Sequence, residues 1–253
     1  VQKVWNDDGN RDGIRPLSIT VTLYAEAEGV EMHKVDEAVL NEANHWAATI
    51  SGLAKNVNGK PYTYTWKEEN VPEGYTLTTG YDSEDTSKTI LTNTHIPEKV
   101  EASVEKVWND NNNQDGKRPT GITVKLYGKA GEAAAEEILK TTLNETNNWT
   151  FTKTELPKFK NGVAYTYYWT EETQLPGYTV EAAQQNGEKS FVTTLTNTHA
   201  PEKTSATVEK RWRDNDNQDG KRPESITVIL KKNVNGLVGT VGTYTLKADA
   251  DGS

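Results

Sequence analysis

Cysteine is absent from this 253-residue sequence, so neither a disulfide nor a thiolate metal site can hold the fold together. No apolar run approaches the roughly 18 residues that cross a bilayer, and the N-terminus has no basic-then-apolar signal pattern. We therefore expect targeting or anchoring segments to lie outside this sequence, which looks like a fragment of a longer protein. Lys and Arg number 28 against 37 Asp and Glu, a net charge of −9. That balance argues against nucleic-acid and membrane-surface partners, which require a basic surface.

Hydrophobic residues make up only 34% of the sequence, which predicts small, thin cores. A covalent crosslink would add to the folding stability of such cores. Seven Trp and eleven Tyr nevertheless argue against disorder, because disordered chains lack aromatic residues. Four scattered histidines give no metal-ligand spacing, and no glycine-rich phosphate loop follows a strand pattern. We therefore predict neither a metal nor a cofactor.

One sequence pattern occurs three times along the chain. Each copy opens with a lysine on the apolar face of a strand pattern, and these lysines are Lys3, Lys106 and Lys210. They lie 103 and 104 residues apart, about one small domain each. The repeats therefore indicate a string of small domains, not one large core.

Domain boundaries are predicted at two short proline-bearing junctions, which would hold neighbouring domains in a semi-rigid line. The predicted domains are residues 1–97, 98–201 and 202–253. The third copy stops before its later motifs, so we expect it to be the N-terminal half of a domain.

Short segments of alternating polar and apolar residues, rich in Thr, Val, Tyr and Trp, predict an all-β antiparallel sandwich in each complete copy. Two stretches depart from this alternation. Residues 26–40 and 133–140 are interpreted as a helical turn or a decorated loop between strands.

Each complete copy places three polar residues on apolar strand faces. In the first copy these are Lys3, Glu68 and Asn93. Glu69 points to the opposite face, so the two adjacent glutamates cannot be the facing acid pair of a glycosidase. The corresponding residues of the second copy are Lys106, Glu171 and Asn197.

Three polar groups buried in one small core are costly unless they satisfy each other. Burial disfavours the charged forms of an amine and a carboxyl group, so a neutral pair is expected. A neutral lysine amine is a nucleophile that can attack an asparagine carboxamide while the glutamic acid polarises the carbonyl oxygen and moves protons. Ammonia would leave, and a Lys–Asn isopeptide bond would remain.

The motifs V-x-K-x-W, N-D-x-x-N-x-D-G-x-R-P, Y-T-x-x-W-x-E and L-T-N-T-H together resemble the B-type repeat domains of Gram-positive collagen adhesins and related pilins, the CnaB family. The resemblance implies tandem immunoglobulin-like sandwiches of reversed topology in a linear array, each with a spontaneous isopeptide bond. It assigns the crosslinks to Lys3–Asn93 and Lys106–Asn197, promoted by Glu68 and Glu171 as the catalytic acids. Lys210 has no partners in this chain, so we expect its segment to be uncrosslinked and poorly ordered.

Two other patterns imitate functional motifs. Each copy carries an Asx-rich stretch like the start of a calcium loop, but the twelfth position holds isoleucine where an EF-hand needs glutamate. We interpret these stretches as turns before the Arg-Pro pairs. His95 and His199 close the two complete copies. We expect their side chains to pack against the end of the repeat or to cap it, and not to bind a ligand.

The leading hypothesis is a structural stalk in an extracellular adhesin or pilin, anchored to the cell wall through sequence outside this chain. Its partners would be neighbouring repeats of the same chain, and a host matrix protein would bind through other domains. The alternative is that these repeats themselves bind a host matrix protein. A turnover enzyme is not expected, because self-crosslinking occurs once per domain.

Overall fold

The structure is a computed structural model that describes residues 1–247, which form eighteen β-strands and two short 3₁₀ turns. These residues fall into two compact units, residues 1–201 and the residues from 202 onward. The first unit contains the two complete sequence copies, named here repeat one (residues 1–97) and repeat two (residues 98–201).

Repeat one has two three-stranded sheets and a small hairpin. Its strands are β1 Gln2–Asn6, β2 Ser18–Ala27, β3 Val30–Asn41, β4 Asn56–Val57, β5 Lys60–Pro61, β6 Thr63–Lys67, β7 Thr76–Tyr81 and β8 Thr89–Thr94. The sheet orders are β1-β8-β7 and β3-β2-β6, while β4 pairs with β5. The 3₁₀ turn Glu42–Asn44 follows β3.

Repeat two has the same plan with two four-stranded sheets. Its strands are β9 Lys99–Asn109, β10 Gly121–Ala130, β11 Glu136–Asn144, β12 Thr150–Pro157, β13 Phe159–Lys160, β14 Val163–Glu171, β15 Thr179–Asn186 and β16 Ser190–Thr198. The sheet orders are β11-β10-β14-β13 and β12-β9-β16-β15. The 3₁₀ turn Glu145–Asn147 precedes β12.

The first and last strands of each repeat lie side by side and run in parallel. In repeat one β1 pairs with β8, so that Lys3 is opposite Leu91 and Trp5 is opposite Asn93. In repeat two β9 pairs with β16 in the same way. The prediction of tandem, all-β immunoglobulin-like sandwiches with reversed topology is therefore confirmed.

A separate apolar core lies between the two sheets of each repeat, because alternate residues of both sheets point inward. The buried core of repeat one consists of Val1, Ile19, Val21, Leu23, Leu40, Trp66 and Leu91. The core of repeat two is larger and consists of Val100, Ala102, Val104, Ile122, Val124, Leu126, Leu143, Leu156, Tyr167, Trp169, Phe191 and Leu195.

The interpretation of residues 26–40 and 133–140 as helical turns or decorated loops is wrong. Most of the first stretch belongs to β3, which pairs antiparallel with β2, and most of the second belongs to β11, which pairs with β10. Both are edge strands with largely exposed side chains, so they lack the apolar alternation that identifies a half-buried strand.

The third copy contributes one antiparallel hairpin, formed by β17 Ser225–Val234 and β18 Leu237–Lys247. No strand forms over residues 202–224, where the counterpart of β1 would lie. The last six residues of the predicted domain 202–253 lie outside the described residues.

Candidate self-crosslinking sites

The three polar residues predicted to meet in repeat one lie in contact. Lys3 comes from β1, Glu68 follows β6, and Asn93 is the penultimate residue of β8. Lys3 Nζ lies 3.1 Å from Glu68 Oε2, and Asn93 Nδ2 donates to Glu68 Oε1 at 2.8 Å. The side chains of Lys3 and Glu68 are fully buried, as is Asn93. The carboxyl group therefore touches both the amine and the carboxamide.

Repeat two contains the same arrangement. Lys106 Nζ lies 3.6 Å from Glu171 Oε2, and Asn197 Nδ2 donates to Glu171 Oε1 at 2.9 Å. Lys106 Nζ also donates to the Leu195 carbonyl at 3.1 Å, as Lys3 Nζ does to the Leu91 carbonyl at 3.2 Å. Two repeats therefore place the same three groups in the same order between their first and last strands.

Burial favours the neutral form of both lysines. It lowers the pKa of Lys106 to about 8, although Glu171 acts in the opposite direction. Burial likewise lowers the pKa of Lys3, against the opposing effect of Glu68. An uncharged amine with a free lone pair is therefore more accessible here than on a surface lysine.

The carboxamide oxygens are among the buried atoms of these sites that lack a hydrogen bond, together with Oε2 of Glu68 and of Glu171. Oδ1 of Asn93 and Oδ1 of Asn197 are buried, and neither accepts a hydrogen bond from any described residue. A half-turn of the side-chain amide would bring Oδ1 to the carboxyl oxygen, where a protonated glutamic acid could donate to it. That hydrogen bond would polarise the carbonyl carbon toward attack.

A tryptophan two residues after each lysine covers the amine. Lys3 Nζ lies 4.8 Å from the centroid of the Trp5 ring, and Lys106 Nζ lies 4.4 Å from that of Trp108. Each indole packs edge-on against another aromatic residue, such as Trp46 beside Trp5. These rings exclude water from the amine and confine its position.

The third copy places its lysine differently. Lys210 is exposed and lies in a segment without a strand, with Nζ 4.5 Å from the centroid of the Trp212 ring. The lysine–tryptophan contact thus recurs, whereas the counterparts of Glu68 and Asn93 would fall beyond residue 253.

Sequence reasoning missed a polar cluster built around the Asx-rich turns. Arg15 donates to both oxygens of Asp7, at 2.9 Å and 2.5 Å, and the Tyr75 hydroxyl donates to Asp7 at 2.8 Å. Arg118, Asp110 and Tyr178 repeat these contacts in repeat two. The threefold recurrence of Asp and Arg eight residues apart could have revealed the pair.

The histidines that close the two complete repeats also contact the side chains of these turns. His95 Nε2 lies 2.9 Å from Asp12 Oδ2, and His199 Nε2 lies 2.9 Å from Asp115 Oδ2. The Asx-rich stretches therefore hold internal hydrogen bonds, as the turn interpretation predicts. Within residues 1–247, no cluster of three His, Asp or Glu side chains could hold a metal ion, and no helix is long and apolar enough to cross a membrane.

The fold and the recurring buried triad define a class of protein, namely tandem immunoglobulin-like repeats whose first and last strands meet at a lysine, a glutamate and an asparagine. The chain belongs to the Cna protein B-type domain family, whose model matches residues 1–94, 102–198 and 206–251. The resemblance inferred from the sequence motifs is therefore confirmed.

Two relatives indicate the context in which such repeats occur. The chain is 40% identical over 230 residues to a collagen adhesin of Staphylococcus aureus, a match that covers 91% of this chain and 18% of the adhesin. It is also similar to a crystal structure of two B repeat units of the collagen binding protein of the same organism, at 35% identity and a TM-score of 0.63, covering 100% of this chain and 65% of that one. The chain thus spans less than a fifth of the length of the curated relative.

Proposed function

We propose that these repeats form the stalk of a bacterial surface adhesin or pilin and that each complete repeat crosslinks itself. The observation that carries the proposal is the buried contact of an amine, a carboxyl and a carboxamide between the first and last strands, made in both repeats with matching partners. The family membership and the collagen adhesin relative support the stalk.

The crosslinking step is an amide exchange within the folded core. A proton passes from the Lys3 ammonium to Glu68, leaving a neutral amine, which attacks Cγ of Asn93. Glu68 donates its proton to the carboxamide oxygen and carries a proton from Nζ to Nδ2, and it takes back the oxygen's proton as the carbonyl re-forms. The Cγ–Nδ2 bond breaks, ammonia leaves, and one Nζ–Cγ amide remains. Lys106, Glu171 and Asn197 perform the same step in repeat two, once per molecule, so the protein is not a turnover enzyme.

The position of the bond suits a stalk. Pulling force enters a repeat through its first strand and leaves through its last strand, and β1 and β8 lie side by side in parallel. A covalent bond between these strands passes the load without stretching the rest of the sandwich. Each bond would also close a loop of about 90 residues, which stabilises a domain by about 4–5 kcal/mol if it acts as a disulfide does.

This function implies an extracellular protein attached to the cell wall by sequence beyond these repeats. Neighbouring repeats are the direct partners, and a host matrix protein would bind through other domains. The names of the relatives, a collagen adhesin and a collagen binding protein, also favour a second candidate, in which these repeats bind the matrix protein themselves. Binding of the purified chain to immobilised collagen would favour that candidate, because a pure stalk has no affinity for it.

The intact mass of the denatured chain tests the crosslinks directly. Each bond expels one ammonia, so two bonds lower the mass by about 34 Da relative to the sequence. A Lys106→Ala variant should retain one bond and a deficit of about 17 Da. A chain whose mass equals the value calculated from its sequence would refute self-crosslinking. The stalk role would then be tested by the collagen-binding measurement alone.

A further inference from the structure

The turn between β13 and β14 is an Asn-Gly pair. Asn161 and Gly162 have φ angles of 51° and 78°, the two positive angles typical of a two-residue hairpin. The Asn161 side chain is exposed to water. Glycine has no side chain to hinder its backbone nitrogen, which can attack the carboxamide carbon of the preceding asparagine. This turn therefore holds the reactants of an amide exchange that is separate from those of the two triads.

The reaction open to such a pair is deamidation through a cyclic imide. The Gly162 nitrogen loses its proton and attacks Cγ of Asn161, which forms an N–Cγ bond in a five-membered ring. The Cγ–Nδ2 bond breaks, and ammonia leaves with that proton. Water then cleaves one of the two carbonyl–nitrogen bonds of the imide and leaves aspartate or isoaspartate. The chain gains one carboxylate and about 1 Da, because ammonia is lost and water is added.

A loop of repeat one covers the glycine of this pair. The Gly162 amide donates to the carbonyl of Arg11 at 2.9 Å. A Cβ atom on Gly13 would stand 2.4 Å from Gly162 Cα, so the two glycine backbones touch. Both contacts oppose cyclisation. The hydrogen bond keeps the proton on the attacking nitrogen, and the adjacent backbone restricts the rotation that would bring this nitrogen to Cγ.

The junction between the repeats holds the loop in place. Asp12 Oδ2, from the loop, accepts the amide of Glu98 at 2.8 Å. The Glu98 carbonyl accepts the Lys158 amide at 3.0 Å, and its carboxylate pairs with Lys158 Nζ at 2.8 Å. These contacts and those of Gly162 are called the joint here. The Gly162 nitrogen is therefore released only when the joint opens.

The same chemical pair occurs in repeat one without a covering loop. Asn58 and Gly59 form the turn between β4 and β5 with φ angles of 49° and 75°. The Tyr62 amide closes this hairpin on the Lys55 carbonyl at 3.0 Å, as the equivalent bond of 2.9 Å does in repeat two. Within residues 1–247 the Gly59 amide has no acceptor, and no atom beyond its chain neighbours lies within 4 Å of a Cβ built on it. The chain thus supplies its own uncovered reference.

The two other Asn-Gly pairs of the sequence are held by their own turns. The Gly187 amide donates to the Ser190 carbonyl at 2.7 Å, and the Gly236 amide donates to Asn233 Oδ1 at 3.0 Å. Among the four pairs, Asn161–Gly162 is thus the one whose glycine amide is bonded to a different repeat.

We propose that Asn161 is a deamidation site whose reaction is controlled by the joint between the two repeats. While the joint is closed, Arg11 and Gly13 hold the Gly162 nitrogen away from Cγ and the reaction is slow. When the joint opens, the pair reacts as the uncovered pair of repeat one does. Isoaspartate adds one methylene to the main chain of a two-residue turn, so the altered hairpin no longer fits against Gly13 and the joint stays loose. The reaction does not require the isopeptide bonds.

Peptide mapping of the whole chain measures the reaction. The purified protein is kept at mildly alkaline pH, sampled over days and digested, and mass spectrometry quantifies aspartate and isoaspartate at Asn58 and Asn161. A single hydrogen bond lowers the population of the free amide by about fivefold. We therefore expect Asn161 to convert at least about fivefold more slowly than Asn58.

Two glycine variants separate the joint from the hairpin itself. Gly13→Ala should open the joint, because its Cβ would strike Gly162, and Asn161 should then approach the conversion rate of Asn58. Gly9→Ala is the matched control, since Gly9 lies in the same loop with a φ of 71° against 73° and has nothing within 4 Å of a built Cβ. It should leave Asn161 slow. Exchange of the Gly162 amide in deuterated water reports whether the joint has opened in each variant.

The outcomes divide as follows between the joint and its alternatives. Equal conversion of Asn58 and Asn161 in the parent chain would overturn the proposal, as would no conversion at either. A Gly13→Ala chain whose Gly162 amide exchanges freely while Asn161 stays slow would overturn it too, because the hairpin would then be the protecting element. Where Gly13→Ala keeps that amide protected or loses its calorimetric transitions, Asp12→Ala, which removes an acceptor from the joint, takes its place under the same criterion.

The lasting effect on the joint has its own measurement. Anion exchange separates the converted chain by its added charge. In that fraction the Lys158 amide, which donates to Glu98 across the joint, should exchange faster than in the parent chain. An unchanged exchange rate would refute the claim that the joint stays loose after the reaction.

Discussion

Replacing Glu171 by glutamine changes one atom of the repeat-two triad and leaves its shape intact. The glutamine can still touch Lys106 and Asn197, which lie 3.6 Å and 2.9 Å from the carboxyl oxygens, but it cannot take up and return a proton. We therefore expect a folded repeat two without its crosslink. The denatured chain should show a mass deficit of about 17 Da in place of about 34 Da.

The stability cost follows from the size of the loop that is no longer closed. Lys106 and Asn197 are about 90 residues apart, which corresponds to about 4–5 kcal/mol of lost stabilisation. For a domain of about 100 residues each kcal/mol moves the unfolding midpoint by about 4–8 °C. Calorimetry should therefore show the repeat-two transition at least about 15 °C lower, with the repeat-one transition unmoved.

Glu172 supplies the matched control. It is the next residue along the strand, points to the opposite face, and pairs with Lys125 at 2.9 Å and with Lys140 on the partly exposed surface. Glu172→Gln should keep the full mass deficit and nearly the parental melting temperature. A Glu171→Gln chain that also keeps the full deficit, formed at the parental rate, would refute the proton-transfer role of Glu171.

Two further predictions concern the Asx-rich turns. Asp110→Asn should destabilise repeat two by about 2 kcal/mol, because it weakens the bidentate contact with Arg118 and the Tyr178 hydrogen bond, and denaturant titration measures this loss. Hydrogen bonds from Arg118 hold the pKa of Asp110 far below its usual range, so this stabilisation is present above about pH 4 and is lost as the pH falls toward the lowered value. In Asp110→Asn the free energy of unfolding should therefore fall less steeply as the pH is lowered. An unchanged slope would contradict the stabilising role of the Asp110 carboxylate. The hydrogen bond to Asp115 raises the pKa of His199, so its contribution is complete below about pH 6.5 and disappears as the pH rises through the raised value. Melting curves from pH 6 to 9 should show this decline in the parent and not in His199→Gln.

Sequence reasoning succeeded where a side chain's face depends only on alternation along one strand. The inward positions of Lys3, Glu68 and Asn93 follow from the period of two, and the cost of burying polar groups singly then predicts that they meet. It failed at β3 and β11, where exposure on both faces removes the alternation although hydrogen bonds to the neighbouring strand hold the segment extended. The roles of the triad residues in crosslinking stay a prediction that mass measurement will test.

The sequence by itself determined the repeat period, the all-β class and the residues of the two triads, because these depend on local periodicity and on recurrence. Only the tertiary structure decided which residues that are far apart in the sequence make hydrogen bonds or lie in contact with each other. The contact of Gly13 with Gly162 and the Asp7–Arg15–Tyr75 cluster both depend on how separate strands and loops come together in space. Such long-range juxtapositions are set by the packing of whole sheets, and no pattern along a single strand specifies them.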